Sequence, residues 1–166
     1  MINEKKVQKW LTEEGFFKEK IHDENSKFHF LVQYPDDNLM DLFQPKGKGD
    51  LLVIGCATNV SPEHLEIIKN VSMNKKIDII WNFKYTVNQF LLDFQIDHPD
   101  NIIRGFVITN TLYEDGLNKN NLIFEIKKIF KAKLQCLLIM EKVLNSPDFV
   151  NDIKDNSKLD DSGMFR

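Results

Sequence analysis

The 166 residues carry a formal net charge of -3, with 42% hydrophobic and 28% charged side chains, which supplies a real core and excludes global disorder. That length fits one domain and a tail, and nothing in the charge balance draws the chain toward phosphate backbones or anionic membrane. No run approaches the ~20 apolar residues of a membrane span, so the expected setting is the cytoplasm, with no membrane contact.

In chain order, Asn3 is placed to cap a first helix whose apolar residues Val7, Trp10 and Leu11 follow helical spacing, and Gly15 ends it. Strands are predicted over Phe16–His22, Lys27–Tyr34, Leu39–Gln44 and Leu51–Thr58, separated by Asp23-Glu24-Asn25-Ser26, Pro35-Asp36-Asp37-Asn38 and the Pro45–Asp50 loop. The short links favour an antiparallel meander. The fourth strand is apolar almost without alternation, which predicts cover on both its faces.

Ser61-Pro62-Glu63 is helix-start chemistry: a capping hydroxyl, a proline at the first helical position and an acid in the first turn. Helix two is expected over Pro62–Asn70 and helix three over Lys75–Leu92. Two more strands, Asp93–Asp97 and Ile102–Tyr113, lead to a long last helix capped by Asn118 and reaching about Asn145. The order is therefore α-β-β-β-β-α-α-β-β-α, an α+β domain with a twisted antiparallel sheet and packed helices over residues 1–146.

Residues 147–166 are crowded with Asp, Asn, Ser and Lys and are expected to form a flexible tail, in which Phe149, Val150 and Ile153 could make one short docking turn. Deleting Asn156–Arg166 is expected to leave the melting temperature almost unchanged. A fall of more than a few degrees in a thermal melt of the truncated chain would contradict this.

Three segments carry a family resemblance: Ser61-Pro62-Glu63-His64-Leu65, the Leu112-Tyr113-Glu114-Asp115-Gly116-Leu117 link, and the closing helix. Together, over about Met1–Asn145, they resemble a family of small archaeal proteins of unknown function, similar in fold to the YbjN and type III secretion chaperone-like domains. The resemblance implies homodimers and binding of extended polypeptide. It implies no catalytic residues, and nothing in the chain points to a secretion system.

The residues themselves offer little chemistry. Gly47-Lys48-Gly49 lacks both the spacing and the succeeding helix of a phosphate-binding loop and reads as a hairpin. His22 and His29 are brought near one another by the first hairpin, but two imidazoles without further ligands are no zinc site. His64 lies in the first turn of helix two, and His98 in a link between strands. Cys56 and Cys136 stand in apolar stretches as small core residues. No catalytic, cofactor or metal residue is assigned.

Two features of the helices are odd. Along the last helix, Lys127, Lys128 and Lys131 with Gln135 form an ordinary solvated face, whereas Lys133 falls within the stripe Ile126, Phe130, Leu137, Leu144. Its stem snorkels past the core, or it pairs with an acid, or the helix bends there. Helix three is apolar on two sides, with Ile77, Ile80, Trp81, Tyr85, Leu91 and Leu92 on one and Ile79, Phe83 and Phe90 on the other. If the first set faces the sheet, Ile79, Phe83 and Phe90 are covered by the final helix or form a partner-binding face.

The reading is an uncharacterised, non-catalytic protein-binding or chaperone-like module, acting as a homodimer or on a protein partner. The alternatives are an enzyme of unidentified class, which needs a concave pocket with perturbed titratable groups, and a nucleic-acid binder using the lysine face, against which the acidic balance counts.

Overall fold

The computed structural model describes residues 1–145. Its elements run α1 (Glu4–Glu13), β1 (Phe17–Ile21), β2 (Ser26–Gln33), β3 (Leu39–Pro45), β4 (Leu51–Asn59), α2 (Pro62–Lys69), α3 (Met73–Gln89), β5 (Asp93–Asp97), β6 (Gly105–Tyr113) and α4 (Lys119–Leu144), with single 3-10 turns at Pro99–Asn101 and Glu114–Gly116. The predicted order holds throughout. The expected tail, 147–166, lies outside the described residues.

One antiparallel sheet in the order β1-β2-β3-β4-β6-β5 organises the chain. The first four strands form the expected meander, and β6 pairs with β4 along its whole length, from Leu51↔Tyr113 to Asn59↔Gly105. Strand β5 is thereby left at the edge, in register with β6 from Asp93↔Thr109 to Asp97↔Gly105.

Because side chains alternate along a strand, the register places Phe28, Phe30, Val32, Met40, Leu42, Leu52, Ile54, Cys56, Phe106 and Ile108 on one face, and all ten are buried. The helices pack there. Helix α4 crosses β4 and β6, α1 lies against β1, β2 and α4, and α3 lies against α4 and β5. The other face carries Leu39, Val107 and Tyr113, all exposed, with Phe43 and Val53 half-buried. On β4 itself that face runs from buried Leu51 and Gly55 and half-buried Val53 to exposed Ala57, so the expected cover on both faces is met only in part.

The caps explain the helix limits. Asn3 accepts from Lys6 N–H at 3.1 Å, Ser61 from His64 N–H at 3.4 Å and Asn118 from Asn121 N–H at 2.9 Å. At the end of α1, Gly15 takes φ 73°, Gly15 N–H reaches Thr12 O at 3.0 Å and Phe16 N–H reaches Leu11 O at 2.8 Å. This is a Schellman closure, which wants a left-handed residue and hence glycine.

Helix α3 ends in the same way with a leucine in that place. Leu91 has φ 54°, Leu91 N–H reaches Asn88 O at 3.0 Å, and Leu92 N–H reaches Val87 O at 3.5 Å. The helix accordingly stops at Gln89 instead of Leu92, Leu91 turns outward at 84% exposure, and Leu92 re-enters the core.

The Pro45–Asp50 loop is the expected hairpin. Gln44, fully buried, donates from Nε2 to Gly49 O at 2.8 Å and pins the loop to the sheet.

Candidate functional site

Ile79, Phe83 and Phe90, expected as a possible partner face, point inward. Ile79 and Phe83 are buried, Phe83 meets Phe106 edge-on at 5.3 Å, and Phe90 is partly buried against the same core. Val87, Ile80 and Thr86 complete that inward face. The orientation of α3 is thus the reverse of the one in which Trp81 faces the sheet, and Ile79, Phe83 and Phe90 belong to the core side where a partner face was expected. Of the first set only Ile80 and Leu92 are buried.

What α3 turns outward is a ridge. Met73, Ile77, Trp81 and Tyr85 recur at every fourth residue, so their side chains line up along the helix. Their exposures are 52%, 36%, 49% and 60%. Trp81 and Tyr85 stack with ring centres 5.8 Å apart and planes inclined by 30°, and Lys84 Nζ sits 4.9 Å from the Trp81 ring centre. Exposed Leu91 stands at the end of the same helix.

A cleft of about 470 Å³ opens between the end of β4, the start of α2 and the last turns of α4. Its apolar lining is Val60, Phe106, Leu137, Met140 and Leu144, and its polar rim includes Thr58, His64 and Glu141. Ser61 lines it too, but its hydroxyl is engaged in capping α2. Thr58 Oγ1 is buried without a hydrogen-bond partner among the described residues.

His29 is held between two carboxylates, with Nε2 2.7 Å from Asp41 Oδ1 and Nδ1 3.4 Å from Asp23 Oδ2. Asp23 is kept below the usual aspartate range, first by the Ser26 hydroxyl and then by Asn25 N–H and His29. The two acids lie on opposite ring nitrogens, so the group does not converge on a point. Among the described residues no set of three or more His, Cys, Asp or Glu is arranged to hold a metal ion.

Cys56 on β4 and Cys136 on α4 are buried free thiols. Burial pushes Cys56 up to about 11, the nearby Lys133 charge pulling slightly the other way. It pushes Cys136 up to about 12, with Cys56 adding to the rise. A thiol held protonated in this way is a poor nucleophile.

Lys133 is half-buried and reaches Asn38 Oδ1 at 3.4 Å, so its stem runs past the core to a polar end. The buried stripe of α4 is Leu122, Ile126, Ile129, Ala132, Cys136 and Met140, and half-buried Lys133 falls within it, three to four residues from Ile129 and Cys136. On the lysine face, Lys128 pairs with Glu125 at 2.7 Å and Lys127 lies 5.8 Å from the Tyr34 ring centre, so part of that charge is engaged within the chain.

These features define a small α+β domain with a single helical layer, whose surface is marked by apolar patches. Residues 3–140 match the family described as Uncharacterized conserved protein (DUF2299), and the chain belongs to that family. An uncharacterized protein from Methanothermobacter thermautotrophicus, solved by crystallography, is 43% identical over 85% of this chain and 98% of its own, with a TM-score of 0.83. YbjN from E. coli is 12% identical over 85% of this chain and 91% of its own, with a TM-score of 0.46. No curated protein matches the chain. The expected membership of an uncharacterised family with an archaeal relative therefore holds. Among the described residues no helix is long and apolar enough to cross a membrane.

Proposed function

We propose that this chain is a non-catalytic protein-binding module of the cytoplasm and that the outer ridge of α3 is its contact surface. The observation that carries the reading is the inclined row of exposed Met73, Ile77, Trp81 and Tyr85 on the outer side of α3. Leaving such side chains in water forgoes roughly 1.5–3 kcal/mol for each that could be fully buried. A ridge of this i, i+4 kind fits the groove of another helix, and a stacked Trp–Tyr pair is the sort of rigid anchor that dominates interfaces. A second copy of the chain is the first partner to test, since one ridge on each copy makes a self-complementary contact. The chaperone-like resemblance, with its homodimers, supports the same choice.

The test is sedimentation velocity over the micromolar range, on wild type and on Trp81→Asp/Tyr85→Asp. A wild-type dimer is expected, at least tenfold weaker in the double variant, with both proteins equally folded by circular dichroism. A wild type that stays monomeric at high micromolar concentration rules out the homodimer. A photo-crosslinking residue at position 81 then tests for another partner in the native cell, and the absence of any adduct would end the binding reading.

A further inference from the structure

We propose that the open face of the sheet, on the side away from the helices, is a second docking surface, and that its occupant is a basic amphipathic helix of a partner protein. This goes beyond the α3 ridge, which belongs to the helical layer, and does not rest on it.

The make-up of the face leads to it. An antiparallel sheet with one face in water ordinarily alternates apolar inward and polar outward. Here the alternation fails. The outward positions include half-buried Leu31, Phe43 and Val53 and exposed Leu39, Val107 and Tyr113, while the helices pack on the other face. In register, Phe43 stands beside Val53 and Ala57 beside Val107, so apolar pairs span β3, β4 and β6. Apolar surface grouped in this way marks a contact site.

The face is also concave where β4, β6 and β5 meet. A hollow of about 260 Å³ there has Ala57, Asn59, Gln95, Asp97, Gly105 and Val107 in its lining. Gly105 leaves room in it, since a Cβ at that position would lie 3.0 Å from Asn59 Oδ1. The hollow can seat one apolar side chain on Ala57 and Val107 and meet a neighbouring cation at Asp97.

Charge selects the occupant. At its paired positions the face carries Glu19, Asp41, Asp93 and Asp97 and no lysine or arginine, and Lys18 and Lys27 fall at the register shifts of β1 and β2. His29, on the same face, is flanked by Asp41 and Asp23. A basic partner is the complement of such a surface. The acids also decide its form. Glu19 on β1 and Asp93 and Asp97 on β5 stand at the two sheet edges, where charge discourages an added strand. A helix lying across the face, with an apolar stripe on β3, β4 and β6 and lysines toward the acidic rims, covers a sheet in the ordinary way.

The test measures binding of synthetic helical peptides to the full-length chain by calorimetry and maps the contact by NMR. One peptide has a leucine stripe flanked by lysines, a second the same stripe flanked by glutamates, and a third the lysine composition in scrambled order. The lysine-stripe peptide is expected to bind at least tenfold tighter than either of the others, shifting amides of β3, β4 and β6 and leaving α1 and α3 in place. Val107→Lys is expected to weaken it at least tenfold, and Asp93→Asn/Asp97→Asn at least threefold, with both variants folded by circular dichroism. Glu63→Gln/Glu66→Gln, which removes the same charge from α2, is expected to change it less than twofold. No binding, equal binding of the scrambled peptide, shifts confined to the helical layer or to the free edge of β5, or equal losses from the two charge-neutralised variants would each overturn the proposal. So would protection of the face from hydrogen exchange that rises with protein concentration without peptide, because a second copy would then be the occupant.

Discussion

Phe83→Ala is expected to lower the unfolding free energy by about 3–5 kcal/mol, as large-to-small changes at fully buried aromatic positions do. Phe83 is 1% exposed, faces Phe106 edge-on at 5.3 Å and joins α3 to the sheet. Phe83→Asp adds an unpaired buried charge to the cavity, so no folded domain is expected from it. Trp81→Ala, two residues away on the same helix, removes a side chain already 49% exposed and is expected to cost the isolated chain less than about 1 kcal/mol. Urea unfolding monitored by circular dichroism compares the three variants directly. A folded Phe83→Asp protein, or a Trp81→Ala variant as unstable as Phe83→Ala, would mean that α3 is rotated the other way and that the ridge is core.

That rotation is what the sequence left ambiguous. Strand periods, caps and turns were legible because each is written locally. Phe28, Phe30 and Val32 alternate onto the buried face, Ser61 and Asn118 cap where expected, and β5 begins and ends at Asp93 and Asp97 as predicted. A helix apolar on two sides carries no local mark of which side is inward. The aromatic richness of Trp81 and Tyr85 points the wrong way, because large rings suit interfaces as well as cores.

The end of α3 was also illegible, since Leu91 takes the left-handed position that Gly15 takes for α1 and nothing in the sequence announces a left-handed leucine. In α4 the expected stripe advanced in sevens through Phe130, Leu137 and Leu144. The buried line is instead Leu122, Ile126, Ile129, Ala132, Cys136 and Met140, which also advances by sevens (122, 129, 136) but lies turned about the helix axis from the expected one. Lys133, seven residues after Ile126 and seven before Met140, falls within the observed line too, and its reach to Asn38 Oδ1 at 3.4 Å is what accommodates the charge there. The cleft was beyond sequence reasoning altogether, because it joins β4, α2, β6 and the far end of α4.

The buried thiols predict a specific alkaline weakness. Cys56 and Cys136 are 1% and 0% exposed, and burial raises their values from the ordinary 9.0 to about 11 and about 12. In the unfolded chain both ionise above pH 9, whereas in the folded chain both stay protonated past pH 10. Over that window the unfolded state binds fewer protons than the native state, so the unfolding free energy falls as pH rises. At pH 10 each thiol contributes a loss on the order of 1 kcal/mol, roughly the equivalent of one pH unit.

Lysines and tyrosines titrate in the same range, so the comparison must be between wild type and Cys56→Ala/Cys136→Ala, each denatured with urea at pH 8 and pH 10. Packing lost with the two sulfurs lowers the variant at both pH values and cancels in the difference. The wild type is expected to lose roughly 2–3 kcal/mol more than the variant between the two conditions, by the sum of the two thiol contributions. Parallel losses would show that the thiols do not titrate differently on unfolding, and that their burial between β4 and α4 is looser than the structure has it.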